Sequence, residues 1–407
     1  MPNQTCKDYQ KMAKIYNLNR RDFLKVGSAV SAGLVLGTPT LWAQDNQKQE
    51  KPARPKTNLD DALKIPKTKY SLPGPFPGKV VEVHNPEAMT EEKIDHGIVK
   101  QMFQSGIQKL TGQNLKKSFK LFFEKNDVVG IKVNPVGPGL ISTRLELVDA
   151  IIDWLVDNGI NKGNIIIWDR FDYMLTDAGF TTERYPGISI EGLQTMDESA
   201  ASDESNDNSK WLKPDGTHVS TDNFDMDVYY WADVEGPKDN AYLNQHVFNG
   251  KYSYFGNLLT KKLTKIINVP VFKNTGNGIS MATKNLGYGA ICNTNRLHRP
   301  LFFDVCTEVL AFPVIRDKLV LNITDGLRAQ YDGGPMGNAK FTYLYNTLFF
   351  ATDPFALDMI SHNLIVQKRK EMNVNVNEHP RFTEYLRYGE RLGLGIADPE
   401  KIEHIHS

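Results

Sequence analysis

Apolar residues along this chain alternate between short continuous runs and longer stretches with helical spacing. Residues 80–84 and 128–133 are apolar runs of strand length. Between them, residues 89–110 set Ile94, Ile98, Met102 and Leu110 on one helical face. Thr143 and Glu146 have the spacing of an N-terminal capping box. The helix they open carries Leu145, Val148, Ile151, Ile152, Leu155 and Val156 on one face and stops at Asn158-Gly159. Residues 165–168 are the next strand. Strand, helix and strand in close succession form a βαβ unit, so parallel pairing and a right-handed crossover are expected. The same rhythm returns later. Strands are predicted at 266–272, 319–323 and 348–351, and a helix from about residue 280. Asp353-Pro354 then opens a helix through Ile360 and Leu364, with Asp as N-cap and Pro in the first turn. The pattern predicts an α/β fold, a mostly parallel sheet flanked by helices, with no internal repeat.

Two stretches fall outside this rhythm. Residues 191–240 hold thirteen Asp/Glu against three Lys, with many Ser and Asn. Such a stretch buries little apolar surface and reads as a polar insertion that closes on Val228-Tyr229-Tyr230-Trp231. A calcium loop is the competing reading, but no EF-hand spacing occurs there. At the start, Asn19-Arg20-Arg21-Asp22-Phe23-Leu24-Lys25 places paired arginines ahead of the apolar run 26–36. That run is shorter than the roughly 20 residues a spanning helix needs. A charged head, a short apolar run and a small residue near position 43 make a removable signal, and paired arginines mark the exporter of folded proteins. Residues 1–43 are therefore expected to be a twin-arginine signal peptide. Residues 44–78 are expected to be a proline-rich linker, ordered from near Pro73, and 79–407 a single α/β domain. A membrane anchor or a chance arginine pair is the alternative. The expected address is the periplasm, and the expected export partner is the twin-arginine translocase. After cleavage no segment is expected to span a membrane.

Charge and cysteine content narrow the function classes. Without residues 1–43 the chain carries 42 Lys/Arg and 46 Asp/Glu. A mildly acidic chain of this kind argues against nucleic-acid binding, which needs a basic face. Cys292 and Cys306 are the cysteines left beyond the signal. They form either a disulfide or two buried thiols. Two thiols cannot hold a four-thiolate iron–sulfur cluster.

Each inner strand ends in a polar group. Lys132 and Asn134 end the first, Asp169 and Arg170 the second, Lys273 and Asn274 the third. Asp325 and Arg328 follow the fourth, and Thr352 and Asp353 the fifth. In an open parallel sheet, ligands bind outside the carboxyl ends of the strands, so these groups are expected to share one crevice. The loop 274–280, with Gly276 and Gly278, is expected to open a helix and cradle an anion on its amides. Lys284 and Asn285 follow on that helix. Met281 stands where a dinucleotide loop needs its third glycine, so no NAD or FAD loop is recognised. The expected ligand set is Lys132, Asn134, Gly276, Gly278, Lys284, Asn285 and Arg328, around a carboxylate or phosphate. Asp169, Asp325 and Lys273 are the candidate catalytic groups. Asp169, Asp325 and Asp353 are also candidate ligands for a divalent metal, although Asp353 equally reads as an N-cap. The competing reading pairs these cations and carboxylates in structural ion pairs. Tyr331-Asp332-Gly333-Gly334-Pro335 is long enough for a lid. His298 beside Arg296 is an acid/base candidate or part of a surface basic cluster, and His404 and His406 read as a frayed end. No G-x-S-x-G, H-E-x-x-H or Walker loop occurs.

Several separated segments, in order, resemble the domain-of-unknown-function family numbered 362. They are Asp127-Val128-Val129-Gly130-Ile131-Lys132-Val133-Asn134 and Asn164-Ile165-Ile166-Ile167-Trp168-Asp169-Arg170. Ile267-Asn268-Val269-Pro270-Val271-Phe272-Lys273, Lys284-Asn285-Leu286 and Ala351-Thr352-Asp353-Pro354-Phe355-Ala356-Leu357-Asp358 complete them. The resemblance covers roughly residues 79–370 and implies no agreed activity. Some relatives append a ferredoxin-like iron–sulfur module, which this chain lacks. Many carry a histidine shortly after the position of Lys273, where this chain has Asn274 and Thr275. The expected function is an exported enzyme acting on a small anion. The alternatives are a periplasmic ligand-binding or accessory protein, and a partner-docking protein that uses the insertion. The sequence leaves the oligomeric state open.

Overall fold

The computed structural model describes residues 54–91, 93–194, 223–234, 251–298 and 301–407. The expected signal peptide and most of the acidic insertion lie outside the described residues. The described strands are β1 (Lys79–His84), β2 (Val129–Lys132), β3 (Ile165–Phe171), β4 (Ser189–Gln194), β5 (Phe224–Trp231) and β6 (Tyr252–Gly256). They continue with β7 (Lys265–Asn268), β8 (Val271–Thr275), β9 (Gly278–Ile279), β10 (Leu319–Gln330), β11 (Thr342–Ala351) and β12 (Glu403–His406). The six principal helices are α1 (His96–Thr111), α2 (Leu145–Asp157), α3 (Ala282–Gly287), α4 (Asp304–Ala311), α5 (Pro354–Glu371) and α6 (Arg381–Arg391).

The main sheet runs β12-β1-β11-β10-β7-β2-β3-β4, with β8 pairing β10 and β9. β10, β7, β2, β3 and β4 are mutually parallel, which makes this the expected α/β fold. From β2 the chain winds outward to β3 and β4, then returns to β7 on the other flank of β2 and moves on to β10. The winding therefore reverses between β2 and β7, the switch point at which such sheets form a crevice. Pro270, which has no N–H to give a ladder, separates β7 from β8.

Both faces are covered, as a parallel sheet requires. Side-chain alternation along β3 sends Ile165 and Ile167 to one face and Ile166 and Trp168 to the other. α1 and α2 cover the first face, where the Phe103 and Trp154 rings meet edge-on at 5.7 Å. Gly106 lets α1 approach closely, since a Cβ there would lie 2.1 Å from Phe350. α3, α4, α5 and α6 form the opposite layer, burying Leu286, Val305, Met359 and Tyr385.

The structure departs from the pattern at several points. β11 runs antiparallel to both β10 and β1. It therefore turns Asp353 back towards the amino edge of the parallel strands, while the Thr352 carbonyl stays beside Asn322. His404 and His406 are not frayed: they lie in β12, parallel to β1 with Val80 opposite His404 and Glu82 opposite His406. Order begins well before Pro73. Asn58 bonds to Tyr229 and Trp231 of β5, and Leu59, Ala62 and Leu72 are buried. The capping box is absent. Arg144 is the N-cap of α2, and the Thr143 hydroxyl instead donates to Val269 O at 2.9 Å and accepts from Asn134 N at 2.8 Å. Cys292 and Cys306 are separate buried thiols, with burial pushing Cys292 up to about 12. Among the described residues, no helix is long and apolar enough to cross a membrane.

Candidate functional site

The carboxyl ends of β2, β3 and β7 converge with α3 on a buried polar relay. Lys132 Nζ lies 2.5 Å from Asp169 Oδ1. It also donates to Val133 O at 2.9 Å and to Asn285 Oδ1 at 3.1 Å. Asn285 Oδ1 accepts a second bond, from Asn134 Nδ2 at 3.1 Å. Asn134 Oδ1 in turn accepts from Lys273 Nζ at 2.9 Å. In the other direction Asn285 Nδ2 donates to Asn268 Oδ1 at 2.8 Å, and Asn268 Nδ2 to Asn322 Oδ1 at 2.9 Å. Asn322 Nδ2 closes the chain on Thr352 O at 3.3 Å. Sheet register explains the row: Lys132, Asn268 and Asn322 are partners on adjacent strands and so share one face. Fully bonded amide networks of this kind rigidify the groups they hold. Gly289 lets the backbone close over the lysine, since a Cβ there would sit 2.6 Å from Lys132 Cε.

Lys132 and Lys273 share the field of one carboxylate, Asp169, and Lys284 adds a third positive charge beside Lys273. Burial pushes the Lys132 amine below its ordinary range, against the pull of Asp169. Burial also lowers Lys284, which is half-buried with its amine over the rings of Tyr288 and Phe302. Lys273 is 1% exposed and makes no ion pair among the described residues. Burial, and next the charge of Lys284, push its amine down to about 7. An isolated buried cation is costly, so this amine either sheds its proton or receives an anion.

The glycine loop takes a different form from the expected cradle. Gly276, at φ +54°, and Asn277 turn a hairpin between β8 and β9, and α3 starts only at Ala282. The amides at the start of α3 are already taken. Asp358 of α5 accepts from Ala282 N at 2.8 Å, Thr283 N at 2.9 Å and Thr283 Oγ1 at 2.5 Å. An internal carboxylate thus fills the place of the expected ligand, and Gly276 and Gly278 shape the turn. Arg369 clamps that turn through Gly276 O and Asn277 Oδ1, and pairs with Asp332 at 3.1 Å. The loop after β10 is pinned here as well, with Gly334 N bonded to Asn274 Oδ1 at 3.0 Å. Hairpin and loop together cover the strand that carries Lys273.

Three expected site residues lie elsewhere. Asp325 accepts from Arg144 N at 2.7 Å and from Leu327 N at 3.1 Å, fastening the start of α2 to the sheet. Burial raises its carboxyl. Arg328 reaches out to Glu91 at 2.5 Å. Asp353 caps α5 by accepting from Phe355 N and Ala356 N, and it also accepts from Gly78 N and Ile396 N. Burial pushes it up to about 6 despite these four amides. Asp169, Asp325 and Asp353 therefore do not form a joint ligand set. His298 is exposed and packs at a tilt against Tyr288 and Phe302 beside Lys284, while Arg170 bonds to Thr294. A cleft of about 380 Å³ lies at the opposite, amino end of β3 and β4, lined by His96, Asp149, Lys162, Arg184 and Tyr185.

A family model described as domain of unknown function, DUF362, matches residues 129–363. The chain belongs to that family. The match opens with β2 and ends inside α5, so every side chain of the relay lies within the DUF362 segment. β1, α6 and β12 lie outside it. No curated protein matches the chain. The sequence reading missed Asn322 and Arg369, took Thr143 for a cap, and met Asn268 and Asp358 only inside the family segments. Asn268 carried a usable signal, a polar side chain inside the otherwise apolar run 266–272. Asp358 closes the family segment 351–358, whereas nothing local marks Arg369.

Proposed function

We propose that this DUF362 protein is an exported enzyme acting on a small carboxylate or phosphate at the carboxyl ends of β2, β3 and β8. Lys273 carries the reading, as a buried amine pushed down to about 7 beside two other lysines. A group that titrates near working pH is suited to proton transfer. Lys132 and Lys284 supply charge for the anion, Asp169 holds Lys132 in place, and Lys273 exchanges the proton. The relay through Asn134 and Asn285 fixes the spacing of the amines, and displacement of the loop at Gly334 admits the ligand.

The full chain should show a saturable rise in unfolding temperature with inorganic phosphate or a small carboxylate. The rise should vanish in Lys273→Met and in Lys284→Met. Native mass spectrometry of periplasmic protein would read a retained anion directly. Equal shifts in the wild type and both variants, or no shift with any anion tried, would sink this reading.

The export half of the proposal rests on Arg20-Arg21 and the short apolar run after them. Replacing both arginines with lysine should leave the uncleaved precursor in the cytoplasm, read by fractionation and immunoblotting. Unchanged periplasmic yield from that variant would count against the route.

A further inference from the structure

At the far edge of the sheet from the lysine relay, three metal-ligating side chains converge. His404 and His406 alternate along β12 and so project to the same face. Glu82, directly opposite His406 on β1, projects beside them. Glu82 Oε2 lies 2.9 Å from His404 Nε2 and 3.3 Å from His406 Nδ1. One donor atom from each residue falls within 4.8 Å of the others. Glu82 is 7% exposed, yet its Oε2 and the facing His404 Nε2 both lack a hydrogen bond of normal geometry. At 2.9 Å the two atoms lie within ion-pair distance, but their alignment is poor for a hydrogen bond. A cation between them would satisfy both.

We propose that Glu82, His404 and His406 bind one divalent transition-metal ion of the zinc class, which clamps β12 to β1. Two imidazole nitrogens and one carboxylate oxygen suit zinc or a neighbouring borderline ion better than magnesium or calcium. Ligand bonds of about 2.0–2.1 Å in a tetrahedron separate donor atoms by about 3.3 Å, close to the 2.9 Å and 3.3 Å from Glu82 Oε2 to the two imidazoles. The second oxygen of Glu82 is already held, accepting from Tyr345 OH at 3.0 Å. Outer partners of this kind orient a ligating carboxylate towards its metal. His406 is largely exposed, so the remaining coordination positions face solvent. The site joins two strands that the family match does not include, and it stands independently of the anion reading.

The test uses the full chain, stripped with a chelator, dialysed, and titrated with zinc chloride by calorimetry and thermal unfolding. One zinc per chain at micromolar or tighter affinity is expected, with an unfolding temperature that rises with zinc concentration. His406→Ala alters an exposed side chain and should leave the metal-free unfolding temperature unchanged while weakening zinc at least tenfold. His404→Ala/His406→Ala should abolish the stoichiometric site. Glu82→Gln, which keeps the size and the Tyr345 contact, should weaken it by a comparable factor. Absence of saturable binding at about 100 µM zinc, or equal binding by the double histidine variant, overturns the proposal.

Discussion

Lys273→Met is expected to make the protein more stable at pH 7, and to remove part of a rise in stability between pH 7 and pH 10. The Lys273 amine titrates at about 7 in the folded chain and near 10.4 when free. Between those values the unfolded chain holds a proton that the folded chain has released. Stability then climbs with pH, by up to about 1.4 kcal/mol per pH unit. Below pH 7 the full penalty of the buried charge is present, and above about pH 10 it is gone. Across the window the ceiling is about 5 kcal/mol. Methionine fills a similar volume without the amine, so the variant should gain on the order of 1–4 kcal/mol at pH 7. Burial shifts Lys132 and Lys284 the same way, and Asp169 opposes the shifts of Lys132 and Lys273. They remain in both proteins, so the difference between the two curves isolates Lys273 and the relief its removal gives Lys284. Urea unfolding at pH 7, 8, 9 and 10 reads the difference. Parallel curves, or a variant weaker at pH 7, would show Lys273 to be an ordinary structural cation.

That outcome bears on function, because a residue retained at a cost to stability needs another reason to be present. Natural sequences accept such losses mainly at working sites.

How much of this was legible in the chain depends on the range of the interaction. Apolar runs and helical spacing located β2, β3, α2 and the start of α5 because those signals are local. Lys132, Asn134, Asp169 and Lys273 were found because strand ends in a parallel sheet share an edge, and Asn285 because it follows the glycine loop on the next helix. The same reasoning misplaced Asp353, since nothing local says that β11 runs antiparallel to β10. It misjudged Asp325 for a different reason. Its partner, Arg144 N, lies 181 positions away, and a carboxylate that fastens a helix looks like one that does chemistry until the donors are seen. The anion cradle failed because Asp358 fills the start of α3 from 75 positions away. The histidines of β12 pair with a strand more than 300 residues earlier, beyond any periodicity within that segment.

Asp353→Ala is expected to be the most damaging single truncation near the sheet, costing on the order of 3–5 kcal/mol. Its Oδ1 accepts from Phe355 N at 2.9 Å and Ala356 N at 3.1 Å. Its Oδ2 accepts from Gly78 N at 3.1 Å and Ile396 N at 2.7 Å. Removing an N-cap alone costs about 1 kcal/mol. The other two amides would be left without an acceptor, at about 1–3 kcal/mol each. Three distant segments meet at this carboxylate: the proline-rich approach to β1, the start of α5 and the turn after α6. Gly395 is shaped to it, since a Cβ there would lie 2.3 Å from Asp353 Oδ1. Asn keeps one acceptor oxygen and should lose roughly half as much. Denaturant unfolding of the three proteins gives the ranking. A loss under about 1 kcal/mol for the alanine variant would mean that water replaces the carboxylate, and the fastening role would fall. The donors also decide the chemistry of the residue. Four N–H groups aimed at both oxygens present positive charge where a metal would sit, so Asp353 serves as a joint of the fold, and the case for a metal passes to Glu82 and the two histidines beside it.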